Sequence, residues 1–411
     1  MSIVAKSAPD PIPYYIRAFA MALPAIMLGL QLSGWIFFLP GAMRGHADFR
    51  QLYAAGYMVR TGHSHELLDY ASQKHFQDMV VSTEQIALPY IRPAYEALLF
   101  VPLSIIPYRA AYFVFLALNF IFLACALRLL RPMLSRLGTI WKPLPEAMFV
   151  SFLPTGAALM QGQDSILLLL LLLLAWRALR RKREFSAGVI AGLGLFKFQI
   201  TIPLAFMLLG WKRWRFFSGF LVCAAVVSGI SVWLTGLTSA RLYLHSLFRM
   251  GSGIAGARNE LHYPEPMHRM MNLHSLVYTS MRGHASAFTI SLATVVLSVG
   301  VLLFILRLGQ TQNPDQQFVM AIASAVLLSY YIYIHDLAVL EIPILIILDQ
   351  TVFALWEGGI SFKLLPIFAL ILFAAPTLII SWAYLFAVPL FLFICLISIQ
   401  QMRTQADMVP V

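Results

Sequence analysis

The chain has 411 residues, of which 60% are hydrophobic and 11% are charged. Soluble domains are only roughly 45–50% apolar, so this composition excludes an aqueous fold. The net charge of +11 would suggest a nucleic-acid partner in a soluble protein. Here the basic residues cluster at the ends of apolar runs, which indicates membrane orientation and anionic lipid headgroups, and no nucleic acid.

Apolar runs recur along the chain and predict one transmembrane domain, 1–411, that is all-α. A crossing needs about 20 apolar residues. The first run, 18–40, is longer than the roughly 7–15 residues of a signal-peptide core, so we expect a retained anchor. About ten crossings are predicted in all: 18–40, 108–130, 144–160, the leucine-rich run after Ser165, 216–236, 287–306, 317–334, 337–356, 364–380 and 382–400.

Two further apolar runs are too short for the crossings that their position requires. The run 94–106 reaches only about 20 Å as a helix, which predicts a re-entrant or surface element. The run 186–210 joins two basic clusters, so we predict a broken hairpin interrupted at Lys197. Irregular backbone at membrane depth must face protein or a wet cavity, so Lys197 would mark a cavity. The alternative is one ordinary crossing from which Lys197 snorkels to the interface.

Basic clusters set the predicted orientation. They lie at 128–142, 177–183 and 212–215, and the positive-inside bias places all three in the cytoplasm. Both termini are then cytoplasmic, and two loops, 41–107 and 237–286, are extracytoplasmic. The polar residues of interest all fall on this outer side.

The segment after the first crossing predicts an amphipathic helix that lies on the membrane. Apolar residues recur at helical spacing from Phe49 to Tyr57, and Gly62 is the expected stop. Asp48 stands at the helix start. Because Gln51 follows three residues later, Asp48 also fits a capping box, which would need no other role for its carboxylate.

Further polar residues are candidates for binding a phosphate or a sugar. Arg92, in front of Pro93, would hold a phosphate or anchor to lipid headgroups. The outer loop is dense in Arg, His and Tyr, which fits a sugar-phosphate ligand or simply a solvated loop. Its spacings match no metal motif, so no metal is expected. The candidates in this loop are Arg258, His268, Arg269 and Asn272.

His335 and Asp336 lie between two apolar runs. Charged groups in such surroundings are costly, so the pair is a functional candidate. The alternative is a tight outer turn in which both side chains reach water. The sequence contains no P-loop, no nucleophile-elbow motif and no dinucleotide-binding fingerprint, so it gives no sign of ATP-driven, serine-hydrolase or nicotinamide chemistry.

Several short motifs, in order, resemble glycosyltransferase family 87, the bacterial polyprenyl-phosphate-mannose-type mannosyltransferases with the GT-C membrane fold. The motifs are ADFRQLYAAG, RPAYEALLFVPLSIIPYRAAY, GQDSILLLLLLLLAW, AGVIAGLGLFKFQITIPLAFML, NLHSL and HDLAVLEIPIL. The resemblance implies a bacterial inner-membrane enzyme whose catalytic aspartate is Asp48. It implies transfer of mannose, or a related hexose or pentose, from a polyprenyl-phosphate donor to an envelope lipid or glycan acceptor.

This chemistry assigns expected roles to the candidates. A polyprenyl phosphate leaves as a monoester whose second pKa is near 6, so a base and positive charge suffice, without a metal or another cofactor. Asp48 is the expected base, which predicts inversion at the anomeric carbon. Arg92, Lys197, Arg258 and Arg269 would bind the phosphate. The residues expected to bind sugar or acceptor hydroxyls are His335, Asp336, Gln163, His268 and Asn272.

A transporter or flippase of a lipid-linked sugar is the competing function. Such proteins also need cations at membrane depth and broken helices. They commonly carry two related halves, and we find no internal repeat. A non-catalytic partner in an envelope complex is a third possibility, for which the sequence has no positive sign.

Overall fold

The computed structural model describes residues 12–83, 87–250, 267–310, 313–357, 360–378 and 380–406. Every regular element in these ranges is helical. The first half contains the α-helices α1 (Tyr14–Gly41), α2 (Phe49–Arg60), α3 (Tyr70–Val80), α4 (Ala97–Phe100), α5 (Tyr108–Leu130), α6 (Ser135–Ile140), α7 (Leu144–Ser151), α8 (Leu153–Gln161) and α9 (Ser165–Arg180).

The second half continues the bundle, with a short 3-10 helix at Ile334–Leu340 that carries the His335-Asp336 pair. Its α-helices are α10 (Glu184–Leu193), α11 (Phe198–Gly210), α12 (Trp214–Met250), α13 (Leu273–Met281), α14 (Ala287–Gly309), α15 (Pro314–Leu328), α16 (Glu341–Thr351), α17 (Ala354–Glu357), α18 (Ile360–Leu378) and α19 (Ala387–Ala406).

Six helical stretches of the described residues are long and apolar enough to cross a membrane. Those that include α1, α12 and α14 bury less than a quarter of their most apolar window, as expected of helices that face lipid. The shorter α15 and α16 are buried along most of their length and form the centre of the bundle. The six stretches are Tyr14–Arg60, Tyr108–Met133, Glu184–Gly210, Trp214–Leu244, Ala287–Gly309 and Trp382–Ile399.

Three predicted crossings are not continuous α-helices. The run 144–160 divides into α7 and α8 at Phe152, whose backbone is extended just before α8 begins with Leu153 and Pro154. The runs 317–334 and 337–356 are shortened, because α15 ends at Leu328 and the chain is irregular before the 3-10 helix. Hydropathy detects apolar composition but not these breaks, which place polar side chains inside the bundle.

The predicted broken hairpin at 186–210 is present. It consists of α10, a 3-10 turn at Gly194–Lys197, and α11. Arg213 Nη1, just after α11, donates to Glu184 Oε1 at the start of α10 over 3.1 Å. The two ends of the element therefore lie close together, and Lys197 lies at its tip.

Glycines let α10 pack closely against α12. A Cβ on Gly188 would overlap the Phe216 carbonyl oxygen, and one on Gly192 would lie 2.6 Å from Cys223 Cβ. The contacts follow the same order along both helices, so α10 and α12 run parallel and α11 is the return between them. Small residues four apart allow such backbone approach in membrane helix pairs.

The predicted helix after the first crossing is present, but it does not lie on a surface with one face in water. Nine of the twelve residues of α2 are buried, Arg50 and Gln51 among them. The reason is that α3, α4 and the turns between them cover it. The helix ends at Arg60, and Gly62 follows with a left-handed φ of 84°, as the expected stop requires.

We expect Gly188→Ala to destabilise the protein by about 1–3 kcal/mol, because the added methyl group collides with the backbone of α12. Thermal or denaturant unfolding of the detergent-solubilised protein measures this. The matched control is Gly229→Ala on α12, where a Cβ would have no neighbour within 4 Å. It should be neutral or stabilising by up to about 1 kcal/mol, because alanine favours the helix. Equal effects of the two changes would contradict the packing described above.

Candidate functional site

A cavity of about 330 Å³ lies where α2, α8 and α9 meet the tip of the hairpin and the 3-10 helix Ile334–Leu340. This volume is at the small end of ligand pockets, about 300–1,000 Å³. Seven of the ten residues predicted as site residues line it. The lining is Asp48, Gln51, Leu88, Pro89, Ile91, Arg92, Gln161, Gln163, Phe196, Lys197, Phe198, Gln199, Arg269, Tyr330, Tyr331, Tyr333, Ile334, His335 and Asp336.

A left-handed glycine shapes one wall of the cavity. Gly162 ends α8 with φ 58° and ψ 46°, which turns the chain sharply into α9. A Cβ at this position would lie 2.7 Å from Phe49 Cβ. Only glycine fits this conformation and this contact without strain. The turn brings the flanking Gln161 and Gln163 to the same residue: Gln161 Oε1 accepts the Asp48 backbone N–H, and Gln163 Nε2 donates to the Asp48 carboxylate.

Two buried cations are held by a buried carboxylate. Arg92 Nη1 and Lys197 Nζ both form ion pairs with Asp164, and the Lys197 distance to Asp164 Oδ1 is 3.3 Å. The three side chains are exposed by 9%, 3% and 2%. Charges this deep in a protein require such partners. The contacts join three segments that are far apart in sequence.

Both cations make further hydrogen bonds inside the protein. Arg92 donates to Glu96 Oε1 over 2.7 Å and to Gln163 Oε1 over 2.6 Å. Lys197 donates to Asp336 Oδ1 over 2.7 Å and to Gln163 Oε1 over 3.1 Å. Both cations therefore belong to a closed network, although both line the cavity.

Burial acts differently on the two neighbouring acids Glu96 and Asp164. It raises the pKa of Glu96 well above its usual value, and the neighbouring Asp164 adds to the increase, so the surroundings favour the protonated form of Glu96. Burial would also raise the pKa of Asp164, but Arg92 and Lys197 outweigh it and lower that pKa. Two cations are thus matched by the carboxylates of Asp164 and Asp336.

Asp336 is an internal anchor rather than an exposed turn residue. Its Oδ1 accepts from Ser165 Oγ over 3.1 Å as well as from Lys197. Its Oδ2 accepts the Tyr333 backbone N–H over 3.2 Å. The side chain is 1% exposed, so the alternative of a tight turn in water does not hold for it. The neighbouring His335 is also buried, which lowers its pKa and keeps the imidazole neutral near pH 7.

Asp48 differs from these acids, because no Lys or Arg of the described chain forms an ion pair with it. Gln163 Nε2 donates to its Oδ2 over 2.6 Å, and His335 Nδ1 lies 3.9 Å from the same oxygen. Its own backbone N–H donates to Gln161 Oε1 over 3.1 Å. The carboxylate does not cap α2, so the capping-box interpretation is wrong. The side chain is 23% exposed, in the cavity wall.

Arg269 is the cavity cation that lacks an acidic partner among the described residues. It is exposed, and it follows His268 in a 3-10 turn. The cavity lining also includes three aromatic side chains, those of Tyr330, Tyr331 and Tyr333. Tyr331 and Tyr333 pack edge to face, with ring centroids 5.2 Å apart. The cavity thus combines an unpaired carboxylate, an unpaired guanidinium and a group of aromatic rings.

Three predicted site residues do not line the cavity in this structure. Both polar atoms of the Asn272 amide already have a hydrogen-bond partner within the protein. Nδ2 donates to the Ser329 carbonyl, and Oδ1 accepts the Ser275 N–H as the cap of α13. This structural role accounts for its complete burial. His268 does not reach the cavity. Arg258 lies outside the described residues.

The sequence reasoning missed Asp164 and Glu96, which are central to the network. Both lie in apolar surroundings, Asp164 between two apolar runs and Glu96 within the short run 94–106. The rule that a charge in such surroundings needs a function, which selected His335 and Asp336, would have found both. The cavity tyrosines carry no comparable signal, because an aromatic residue near a membrane boundary is common.

Comparison with known proteins gives one match. The sequence model of glycosyltransferase family 87 matches residues 90–331, which is more than half of the chain. The matched segment includes Arg92, Gln163, Asp164, Lys197 and the cavity tyrosines Tyr330 and Tyr331, whereas Asp48 and the His335-Asp336 pair lie outside it. No curated protein and no solved structure matches.

We expect Asp164→Asn to destabilise the protein by about 3–5 kcal/mol, because it leaves two buried cations without their shared carboxylate. Unfolding of the detergent-solubilised protein measures the change. Glu146→Gln is the matched control, since it neutralises the half-exposed partner of Arg131. This control should cost no more than about 1 kcal/mol. A similarly small cost for Asp164→Asn would contradict the role of the network.

Proposed function

Because the chain belongs to glycosyltransferase family 87, we propose that it moves a sugar from a polyprenyl-phosphate donor to an envelope lipid or glycan acceptor. The sugar would be mannose or a related hexose or pentose. The proposal rests mainly on the surroundings of the Asp48 carboxylate. Its carboxylate faces the cavity without capping a helix or pairing with a cation, so it is available as a base.

The reaction breaks the bond between the anomeric carbon and the phosphate oxygen of the donor. The acceptor hydroxyl forms the new glycosidic bond, and its proton passes to the Asp48 carboxylate. The electron pair of the broken bond stays on the polyprenyl phosphate, which leaves as a monoester with a second pKa near 6 and needs no general acid. One displacement from the side of Asp48 inverts the anomeric carbon.

Arg269 is the best candidate to stabilise the leaving phosphate. Arg92 and Lys197 are already matched by internal carboxylates, so their charge is largely neutralised within the protein. Arg269 has no acidic partner in the described chain and lies on the cavity wall. A preorganised cation at the developing negative charge lowers the barrier most where it is not already neutralised. In this proposal Arg92 and Lys197 have a structural role: their ion pairs keep the segments around the cavity in position.

Gln163 and His335 position the base. Gln163 Oε1 accepts from both buried cations, which orients its Nε2 toward Asp48. The neutral His335 offers Nδ1 to Asp48 or to a sugar hydroxyl. The rings of Tyr331 and Tyr333 provide apolar faces for the sugar and polar tips for its hydroxyls. The small cavity suits the sugar phosphate, with the polyprenyl chain left in the membrane.

The proposed orientation places this site on the extracytoplasmic face of a bacterial inner membrane. The basic ends of α5 and α9 then face the cytoplasm, in agreement with the positive-inside bias. Both termini are cytoplasmic in this orientation.

A flippase of the same lipid would move the substrate across the membrane without forming a bond. Detergent micelles have no two compartments, so a flippase has no measurable activity in them. A new glycosidic product made in micelles therefore distinguishes a transferase from a flippase.

We expect Asp48→Asn to lower sugar transfer by about 10²–10⁴-fold, because the amide cannot accept the hydroxyl proton. The measurement uses purified protein, radiolabelled polyprenyl-phosphate sugars and a membrane lipid extract. Folding should be unchanged, since the carboxylate caps nothing. Transfer at the wild-type rate would remove Asp48 from the mechanism.

The matched control for this experiment is Asp69→Asn. Asp69 also precedes a helix of the same loop, but its Oδ2 accepts the Ser72 N–H over 2.8 Å as a cap of α3. This variant should keep its transfer rate and lose at most about 1 kcal/mol of stability. Equal losses of transfer in the two variants would indicate a general folding defect.

We expect Arg269→Gln to reduce kcat on the order of 10²-fold, because it removes positive charge where the phosphate leaves. Steady-state kinetics with the same donor measure this. Arg282→Gln, an equal loss of charge at the end of α13 and away from the cavity, is the control and should have little effect. If both variants lost activity equally, Arg269 would have no specific role.

A further inference from the structure

A second and larger cavity lies at the other end of α9. Its volume is about 720 Å³, and it opens between the ends of α5 and α9, the start of α15 and the end of α16. None of its lining residues takes part in the first site. The lining is Arg128, Leu129, Pro132, Met133, Leu173, Trp176, Arg177, Arg180, Arg181, Asp315, Gln316, Val319, Ile346, Ile347 and Gln350.

The rim of this basic cavity carries an excess of positive charge. Four arginines line it, against one acid, Asp315. Asp315 is used by Arg180, at 3.4 Å, and by the indole N–H of Trp176, at 2.9 Å. Arg128, Arg177 and Arg181 have no acidic partner in the residues that the structure describes, and all three are exposed. Three guanidiniums that converge on one opening form a site for an anion.

The inner wall of the basic cavity is apolar. Leu173, Val319 and Ile346 line it together with the arginines, and each is buried. A free phosphate or another small anion gains nothing from such a wall. A ligand with an anionic head and hydrocarbon next to it contacts both parts. The combination therefore favours an amphiphile over a soluble anion.

The position of the basic cavity agrees with a lipid ligand. Its arginines at the end of α9, Arg177 to Arg181, lie twelve to sixteen residues beyond Ser165, where the helix starts beside the first site, a distance of about 18–24 Å along the helix. The hydrocarbon core of a bilayer is about 30 Å thick. If the first site lies near one membrane surface, the arginines lie at the headgroup level of the other.

We propose that the basic cavity binds the phosphodiester headgroup of an anionic phospholipid, with the acyl chains against the apolar wall. Arg128, Arg177 and Arg181 would contact the phosphate, and basic pockets between membrane helices are suited to such headgroups. Bound lipid would tie the ends of α5 and α9 to α15 and α16. The inference does not depend on the transfer reaction.

Thermal unfolding of the detergent-solubilised full chain, with added lipid, tests this binding. Phosphatidylglycerol should raise the unfolding midpoint of the wild type on the order of 2–4 °C, because it binds only the folded protein. Phosphatidylcholine and inorganic phosphate should not raise it. The double variant Arg177→Gln/Arg181→Gln should require roughly tenfold more phosphatidylglycerol for the same shift.

The matched control is Arg183→Gln/Arg215→Gln, which removes two charges at the same end of the bundle but outside the cavity. This variant should respond to phosphatidylglycerol as the wild type does. An unchanged response of the cavity variant, or an equal loss in the control, would overturn the site. An equal shift with inorganic phosphate would overturn the assignment to a lipid, as would an equal shift with phosphatidylcholine.

Discussion

The contact of Arg92 and Lys197 with Asp164 is the interaction on which the rest of the site depends. A buried charge without a partner is prohibitively costly, so each of these groups restricts where the others can lie. Arg92 comes from the segment after α3, Asp164 from the start of α9, and Lys197 from the tip of a hairpin. The 3-10 helix joins through Asp336. Four segments of a helical bundle are thereby brought to one place, which packing of apolar faces alone would not specify.

Charge balance inside this network decides which groups remain for a substrate. Two cations meet the carboxylates of Asp164 and Asp336, and burial favours the uncharged form of Glu96. Removing one partner from a buried ion pair costs about 3–5 kcal/mol, so a phosphate that displaced Asp164 or Asp336 would have to replace the carboxylate fully. An incoming ligand therefore meets the side chains whose charges are not yet matched. Among the described residues of the cavity, these are Asp48 and Arg269.

The sequence predicted which residues lie around the cavity better than it predicted the contacts among them. Lys197 and His335 were selected because a polar group in apolar surroundings is costly, which indicates that it has a role there. Both residues line the cavity. His268 and Asn272 came from a polar loop, where water satisfies any side chain and composition cannot tell a ligand from a cap. The predicted number of crossings rested on the length of the apolar runs and on the positions of the basic clusters. The described chain has six candidate spans, and one of these is the hairpin, since hydropathy does not record that a chain turns back.

Asp48 and Asp69 show why local sequence could not separate a catalytic candidate from a cap. Each precedes a helix in the same loop, and each fits the pattern of a helix start. Asp69 has only its own helix to bind, so its carboxylate accepts the Ser72 N–H. At Asp48, Gln161 takes the backbone N–H and Gln163 takes the carboxylate. Both amides reach it because Gly162, between them, adopts a left-handed turn that other residues adopt only with strain. The backbone conformation of one glycine, more than a hundred residues away in the chain, therefore keeps this carboxylate in the cavity.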